Sequence, residues 1–227
     1  MNNYNYKKNI LKKINSKKLC ISVIGLGYVG LPLSLLLSKK DRVIGIDIDK
    51  KKINYLNLNK SYIERIENKK IRNFNKKNIF STDFSKIFES DFIIICVPTP
   101  LKKDKSPDLS FIKNAVSKIK PNLKKGQTII LESTSYPGTT REIISNNIEK
   151  MKFQVGKNFF VCFSSEREDP GNKKFSIEKI TKVVSGYSNN CLILCKNLYS
   201  KITKVHSVSS LRTAETTKLF ENIFRSG

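Results

Sequence analysis

The sequence predicts an α/β fold in which a doubly wound parallel sheet is covered by helices on both faces. Short, nearly continuous apolar runs bounded by turn residues alternate with stretches of helical length and spacing. Such runs are typical of parallel strands that are buried on both sides. The 227 residues, 39% of them hydrophobic, are also enough for a real core, since chains of this size bury roughly 70–75% of their unfolded surface.

Strand-like runs and helix-like stretches alternate along residues 19–208, which we interpret as one domain. The predicted strands are Leu19–Ile24, Arg42–Ile46, Phe92–Val97, Thr128–Leu131, Phe159–Phe163 and Lys182–Val184, with a shorter one near Ile79. The predicted helices cover residues 29–39, 49–58, 109–120, 138–151 and 189–201.

The two ends of the chain depart from this alternation. Residues 1–18 are rich in Lys and Asn with little periodicity, so we expect a basic tail, either frayed or forming a short leading helix. Residues 209–227 begin another helix, whose broad apolar face includes Leu211 and Ala214. We expect this segment to be the start of a linking helix that packs against structure beyond the end of the chain. Left exposed, such a face promotes self-association.

The formal net charge of +24 has two interpretations. A strongly basic chain is typical of nucleic-acid-binding proteins. Here, however, Lys outnumbers Arg by 36 to 7 and is spread along the whole chain, whereas phosphate-binding surfaces usually favour the bidentate Arg side chain. Lys, Ile and Asn all have A/T-rich codons, so a biased genome explains the charge better. We predict no specific nucleic-acid partner, although the charge favours anionic ligands.

The apolar runs indicate no association with a membrane, since none approaches the ~20 residues that a spanning helix needs. The polar N-terminus is followed by no secretory signal, so a cytoplasmic location and five reduced cysteines are predicted. Cys191 and Cys195 are four residues apart, which suits either two metal ligands or core packing. With no second pair, and with His206 as the single histidine, we predict core packing and no metal.

A G-x-G-x-x-G motif is formed by Gly25, Gly27 and Gly30. The motif follows a predicted strand, opens a predicted helix and precedes a second strand, after which Asp47 stands 22 residues beyond Gly25. This is the context of a Rossmann-like dinucleotide-binding fold. Gly25 permits the tight turn, Gly27 lets the backbone approach a pyrophosphate, and Gly30 lets the helix pack close to the sheet. The helix N-terminus offers N–H groups to the phosphates, and Asp47 can accept hydrogen bonds from the ribose hydroxyls.

Asp47 also bears on the choice of cofactor. A carboxylate at this position repels the 2′-phosphate of NADP, so NAD is predicted. Lys50, Lys51 and Lys52 follow closely and weaken this preference, and Lys52 can instead approach the bound nucleotide from the start of the next helix.

Polar residues follow three further predicted strands, at the sheet edge where ligands bind in open α/β folds. Thr99 and Thr134 follow two of them, and Glu166 opens the charged run Glu-Arg-Glu-Asp after the third. Turns and helix caps explain Thr99 equally well, whereas the charged run favours a ligand. On the final helix, Lys218 and Asn222 share one face. They could hold a developing oxyanion, or they could lie in solvent.

Together these segments resemble the UDP-glucose/GDP-mannose dehydrogenase family of nucleotide-sugar 6-dehydrogenases, over roughly residues 19–224. Within the family, the Glu-Arg-Glu-Asp-Pro-Gly-Asn run is most similar to the branch that oxidises UDP-N-acetylhexosamines, such as UDP-N-acetylglucosamine dehydrogenase. The matching segments, in the order of the family, are Gly25-Leu-Gly-Tyr-Val-Gly-Leu-Pro, Gly45-Ile-Asp-Ile-Asp, Cys96-Val-Pro-Thr-Pro, Glu132-Ser-Thr-Ser-Tyr-Pro-Gly-Thr-Thr, Ser165-Glu-Arg-Glu-Asp-Pro-Gly-Asn and Ala214-Glu-Thr-Thr-Lys-Leu-Phe-Glu-Asn.

The resemblance implies two successive NAD-dependent oxidations at the sugar C6, from alcohol through aldehyde to a uronic acid, by way of a cysteine thioester. Such products serve as precursors for polysaccharides. The resemblance also assigns roles to residues: the acid/base and hydrolysis steps fall to Glu166 and the oxyanion to Lys218 and Asn222, with Thr134 also counted in the catalytic set. The NAD contacts are expected from Gly25, Gly27, Tyr28, Val29, Gly30, Asp47, Lys52, Thr99 and Thr134.

The chain departs from the family pattern at its end. The family's catalytic cysteine and second α/β domain are expected beyond residue 227, and none of the five cysteines stands in the matching context. We therefore expect this fragment alone to be inactive and the full-length protein to be a homodimer joined through the central helix. The alternative is a non-catalytic NAD-binding module, or one half of a split enzyme that needs a partner chain.

Overall fold

The computed structural model describes residues 5–104, 106–165 and 180–217, and within them eight strands form one sheet. The strands are β1 (Cys20–Ile24), β2 (Arg42–Ile46), β3 (Ile79–Ser81), β4 (Phe92–Ile95), β5 (Thr128–Leu131), β6 (Phe160–Ser164), β7 (Lys182–Gly186) and β8 (Val205–Ser207). The helices are α1 (Tyr6–Asn15), α2 (Gly30–Leu37), α3 (Lys50–Asn57), α4 (Asn68–Asn75), α5 (Ser110–Ile119), α6 (Asn146–Lys150) and α7 (Asn189–Tyr199). A π-helical segment, Thr140–Ser145, leads directly into α6, and 3₁₀ turns lie at Phe84–Glu89 and Lys120–Asn122.

The strand order is β3-β2-β1-β4-β5-β6-β7-β8, and the first six strands are parallel. The order reverses between β1 and β4, which places the topological switch point beside the glycine-rich turn. The predicted doubly wound α/β fold is therefore confirmed. The expectation of a parallel sheet is wrong for β7 and β8, because β7 runs antiparallel to β6 and β8 runs parallel to β7. An antiparallel neighbour begins at the edge where the previous strand ends, so it needs no crossover helix.

Two hydrophobic layers cover the sheet, one on each face. Helices α1, α2, α3, α4 and α7 contribute to one layer, whereas α5, the π-helical segment and α6 contribute to the other. All residues of β1, β4, β5 and β6 are buried, which explains why their sequences are continuously apolar rather than alternating.

The N-terminal segment is part of the domain rather than a frayed tail. Helix α1 buries Ile10 and Ile14 in the first layer and packs against α7. The Nζ of Lys13 lies 2.6 Å from Oδ1 of Asp91, and the other carboxylate oxygen, Oδ2, accepts a hydrogen bond from the Cys20 N–H. Of the two expectations for residues 1–18, the structure thus shows the leading helix across residues 6–15.

The described part of the final segment is helical over residues 211–217. Leu211 and Ala214 are buried in the second hydrophobic layer of this domain. The expectation that their apolar face awaits structure beyond the chain is therefore wrong for these two residues, because the sheet's own helices already cover them.

Across the described ranges, no helix combines the length and apolar character needed to cross a membrane.

Candidate functional site

The turn between β1 and α2 is built around two tightly packed glycines. Gly25 has φ of +88°, a left-handed conformation that L side chains rarely adopt, and its N–H donates to the Ile46 carbonyl at 2.8 Å. A Cβ on Gly30 would lie 1.8 Å from the Gly25 carbonyl oxygen. The first turn of α2 therefore lies directly against the strand end, as a close strand–helix junction requires.

Gly27 faces open space instead. A Cβ built there would meet no atom within 4 Å. Beside it, Tyr28 is 60% exposed and Val29 is half-buried, and α2 has neither a side-chain cap nor an acidic residue in its first turn. The N–H groups of a first helical turn lack partners within the helix and carry partial positive charge. This cradle therefore fits a phosphate-bearing ligand that approaches the backbone at Gly27.

The carboxylate of Asp47 lies at the end of β2, against the same turn. Its Oδ2 accepts a hydrogen bond from the Leu26 N–H at 2.8 Å, and its Oδ1 accepts one from the Asp49 N–H at 3.0 Å. The Lys52 ammonium lies 3.8 Å from Oδ2. A carboxylate has about four acceptor positions, so Asp47 can hold the turn and still accept hydrogen bonds from a ribose diol.

A loop that the motif does not reveal also contacts this turn. The Tyr62 hydroxyl donates a hydrogen bond to the Leu26 carbonyl, and an Arg65 guanidinium N–H donates to the Tyr28 carbonyl at 3.2 Å. Burial, together with the nearby carboxylates of Asp47 and Asp49, raises the pKa of Tyr62, so its hydroxyl stays a donor. No motif in the sequence marks Tyr62 or Arg65 as neighbours of this turn.

Thr99 and Thr134 lie beyond the ends of β4 and β5, and both are half-buried. Because β4 pairs with both β1 and β5, these ends share one sheet edge with the glycine-rich turn. The Ser133 hydroxyl donates to the Val97 carbonyl at 2.6 Å, which ties the two loops together. The fold thus brings both threonines to the edge where the second half of a dinucleotide would lie.

A buried charged cluster lies under this edge and was not anticipated from the sequence. The Glu132 carboxylate accepts hydrogen bonds from the Lys182 ammonium and the Tyr199 hydroxyl. The Lys182 and Glu132 side chains are only 5% and 2% exposed. Lys182 also donates to the Ser165 carbonyl at 3.4 Å, so the cluster connects the ends of β5 and β6. Burial and the Glu132 charge raise the pKa of Tyr199 well above its usual range.

Glu215 attaches the final helix to the loop after Thr134. Its fully buried carboxylate accepts hydrogen bonds from the Gly138 N–H at 2.5 Å, the Thr140 N–H at 2.8 Å and the Thr140 hydroxyl at 2.6 Å. A carboxylate at the beginning of a helix satisfies N–H groups that the helix itself cannot. Here a residue 77 positions away from Gly138 supplies it.

Other residues singled out from the sequence lie elsewhere. Glu166, Lys218 and Asn222 fall outside the described residues. All five cysteines are buried free thiols, and Cys191 and Cys195 lie in the core as expected. Burial raises the pKa of the Cys20, Cys162 and Cys191 thiols. Within the described ranges, no three His, Cys, Asp or Glu side chains are grouped to hold a metal.

Comparisons with known proteins agree with this geometry. The model of the UDP-glucose/GDP-mannose dehydrogenase family, NAD binding domain, matches residues 19–203. Protein CapL of Staphylococcus aureus is 38% identical over 208 residues, which are 90% of this chain and 49% of CapL. UDP-N-acetyl-D-glucosamine 6-dehydrogenase of Pseudomonas aeruginosa is 34% identical over 212 residues, covering 92% of this chain and 50% of that enzyme.

Solved structures show the same relation. The NDP-N-acetyl-D-galactosaminuronic acid dehydrogenase of Methanosarcina mazei Go1 superposes with a TM-score of 0.85 at 28% identity, covering 97% of this chain and 50% of that one. The UDP-N-acetyl-mannosamine dehydrogenase Cap5O of S. aureus gives 0.83 at 32% identity, covering 91% and 50%. The chain thus spans about half the length of the relatives it matches. It belongs to the UDP-glucose/GDP-mannose dehydrogenase family, of which it carries the NAD-binding domain, and NAD is its cofactor.

Proposed function

We propose that this chain is the NAD-binding part of a UDP-sugar 6-dehydrogenase that oxidises the C6 hydroxyl of a UDP-N-acetylhexosamine to a uronic acid. Two relatives support the substrate class, namely the UDP-N-acetyl-D-glucosamine 6-dehydrogenase of Pseudomonas aeruginosa and the UDP-N-acetyl-D-mannosamine dehydrogenase of Yersinia pestis. The observation that carries the proposal is the close approach of the Asp47 carboxylate to the glycine-rich turn at the switch point of the sheet.

In this proposal the residues that hold the dinucleotide follow β1, β2, β4 and β5 at one edge of the sheet. Asp47 accepts hydrogen bonds from the adenosine ribose, and Lys52 lies beside it to contact the nucleotide. The backbone at Gly27, where a Cβ would meet no atom within 4 Å, and the first N–H groups of α2 would hold the pyrophosphate. Thr99 and Thr134 would contact the nicotinamide half. When bound, NAD accepts the hydride, and the residues of this chain hold and orient it.

The remaining roles complete the proposal. Glu166 serves the acid/base and hydrolysis steps, Thr134 belongs to the catalytic set, and Lys218 and Asn222 stabilise the oxyanion. The covalent cysteine step is assigned to none of the five cysteines, because each is buried. We also propose that the protein is cytoplasmic, which the free thiols support. The full-length protein is proposed to form a homodimer and to make precursors of polysaccharides.

Replacing Asp47 with alanine tests the cofactor assignment. The change removes the charge-assisted hydrogen bonds to the ribose, so NAD binding should weaken by about 1.5–3 kcal/mol. That corresponds to roughly ten- to 150-fold in Kd by calorimetric titration. Asp49→Ala removes the same charge two residues away, where the side chain caps α3, and should change the Kd much less.

Asp47 also accepts a hydrogen bond from the Leu26 N–H, and the alanine variant loses this contact as well. Asp47→Asn separates the two effects, because its amide oxygen can keep that hydrogen bond while the charge is lost. We expect it to bind NAD more weakly than the unmodified chain. If both Asp47 variants bound NAD like the Asp49 control, the ribose would be held elsewhere and the cofactor assignment of Asp47 would be wrong.

A further inference from the structure

We infer that Tyr62, in the loop between α3 and α4, is a positioning residue of the cofactor site that turns the Gly27 N–H toward the pyrophosphate. This inference rests on the proposed function and adds to it a residue that lies outside the glycine motif. The Tyr62 hydroxyl donates a hydrogen bond to the carbonyl of Leu26, the residue between the first two glycines of the motif. Tyr62 thus acts through the backbone of the turn rather than by binding the cofactor itself.

The hydrogen bond holds a peptide group whose other end is the Gly27 N–H. A trans peptide is planar, and its C=O and N–H point in opposite directions. The described residues contain no cis peptide bond, so a donor that holds the Leu26 carbonyl on one side directs the Gly27 N–H to the other. Among the residues that the structure describes, none accepts a hydrogen bond from this N–H, and a Cβ on Gly27 would meet no atom within 4 Å. The N–H is therefore available to a ligand that approaches the turn.

The two peptide groups of Leu26 are held by different side chains. The Leu26 N–H donates to Oδ2 of Asp47 at 2.8 Å, which fixes the peptide group before Leu26. The peptide group after it is fixed through the Leu26 carbonyl, and within the described ranges Tyr62 is the donor to that oxygen. The orientation of the Gly27 N–H consequently depends on Tyr62, whereas the ribose site at Asp47 does not.

The ring of Tyr62 makes a separate contact with the site. The Lys52 ammonium lies 5.8 Å from the ring centre, within the range of a cation–π interaction, and 3.8 Å from Oδ2 of Asp47. Burial, together with the Asp47 and Asp49 carboxylates, raises the pKa of Tyr62, so its hydroxyl remains protonated and a donor. Replacing Tyr62 with phenylalanine keeps the ring beside Lys52 and removes only the hydroxyl, which makes it the variant that tests the hydrogen bond.

The loop holds Tyr62 in place through the residues on both sides of it. The Ser61 N–H donates to Oδ1 of Asn68 on α4 at 2.8 Å, and the Ser61 hydroxyl donates to the Ile63 carbonyl at 3.0 Å. Ile63 and Ile66 are buried in the first hydrophobic layer, against which Tyr62 is itself half-buried. The position of the hydroxyl is therefore set by packing within the domain.

The test compares ligands with and without phosphates. Chains carrying Tyr62→Phe or Tyr55→Phe are titrated with NAD, ADP and adenosine by calorimetry or by chemical-shift changes. Tyr55 is the matched control, because it is an exposed tyrosine on α3 and loses the same hydroxyl. We expect Tyr62→Phe to weaken NAD and ADP binding about fivefold, the usual effect of one hydrogen bond, and adenosine binding less than about twofold. Tyr55→Phe should bind all three ligands like the unmodified chain.

Two results of these titrations overturn the inference. Binding of NAD and ADP by Tyr62→Phe as tight as by the Tyr55 control would show that the turn keeps its orientation without the hydroxyl. An equal loss for adenosine and ADP would show that Tyr62 only supports the domain. Failure of the unmodified chain to bind NAD would instead contradict the proposed function itself.

Thermal unfolding shows whether Tyr62→Phe is folded. If it is not, the amide signal of Gly27 in the ¹⁵N–¹H NMR spectrum of the unmodified chain decides. We expect this signal to shift strongly with ADP and little with adenosine, because the N–H contacts a phosphate. A Gly27 signal that ADP leaves in place would overturn the inference.

Discussion

Replacing Lys182 with methionine is expected to lower the free energy of unfolding by about 3–5 kcal/mol. Lys182 and Glu132 are both almost fully buried and form an ion pair. Methionine fills much of the same space but cannot pair with the buried Glu132 carboxylate. Among the side chains that the structure describes, the Tyr199 hydroxyl then remains as its hydrogen-bond donor. A buried charge without its partner keeps its desolvation penalty and loses the attraction that offset it.

The double variant Lys182→Met with Glu132→Gln separates this cause from simple packing. Glutamine is neutral and its oxygen can still accept from Tyr199, so the double variant should regain most of the lost stability. Lys196→Met is the surface control, because Lys196 is exposed on α7, and it should change stability by less than about 0.5 kcal/mol. Urea unfolding followed by circular dichroism measures all three. A Lys182→Met chain as stable as the Lys196 control would show that the pair contributes nothing.

The second large effect is expected at the glycine-rich turn, where Gly30→Ala and Gly27→Ala should behave differently. On Gly30, a Cβ would lie 1.8 Å from the Gly25 carbonyl oxygen, so the backbone must move. Overpacking of this kind costs about 1–3 kcal/mol or more, which outweighs the roughly 1 kcal/mol that alanine gains over glycine in a helix. We expect Gly30→Ala to lose both stability and NAD binding.

Gly27→Ala should leave stability unchanged, because its Cβ would meet no atom within 4 Å. The methyl group would instead occupy the space through which the backbone approaches the pyrophosphate. We expect the Kd for NAD to rise at least about tenfold, a change of about 1.4 kcal/mol. Thermal unfolding and calorimetric titration of the two variants check this contrast. Unchanged NAD affinity for Gly27→Ala would mean that the pyrophosphate lies elsewhere.

Much of the sheet could be predicted from the sequence, because its strands are buried on both faces and are therefore continuously apolar. The predicted limits of β2 and β5 agree with the structure residue for residue. Helices α1 and α4 were harder to predict from the sequence, since each buries only two residues within a strongly polar stretch. The antiparallel direction of β7 could not be predicted, because the apolar pattern of a single strand carries no information about its direction.

The glycine-rich turn and Asp47 could be located because the chemistry there is encoded by residues close together in the chain. The contacts that support the turn and the neighbouring loops could not be located from the sequence. Glu132 and Lys182 are 50 positions apart, and Gly138 and Glu215 are 77 apart, so only the folded sheet brings them together.

The most direct test of the central claim is a calorimetric titration of the unmodified chain with NAD and, separately, with NADP. We expect NAD to bind one molecule per chain and more tightly than NADP, because the Asp47 carboxylate accepts the ribose hydroxyls and repels a 2′-phosphate. Absence of NAD binding, or tighter binding of NADP, would contradict the account of this site.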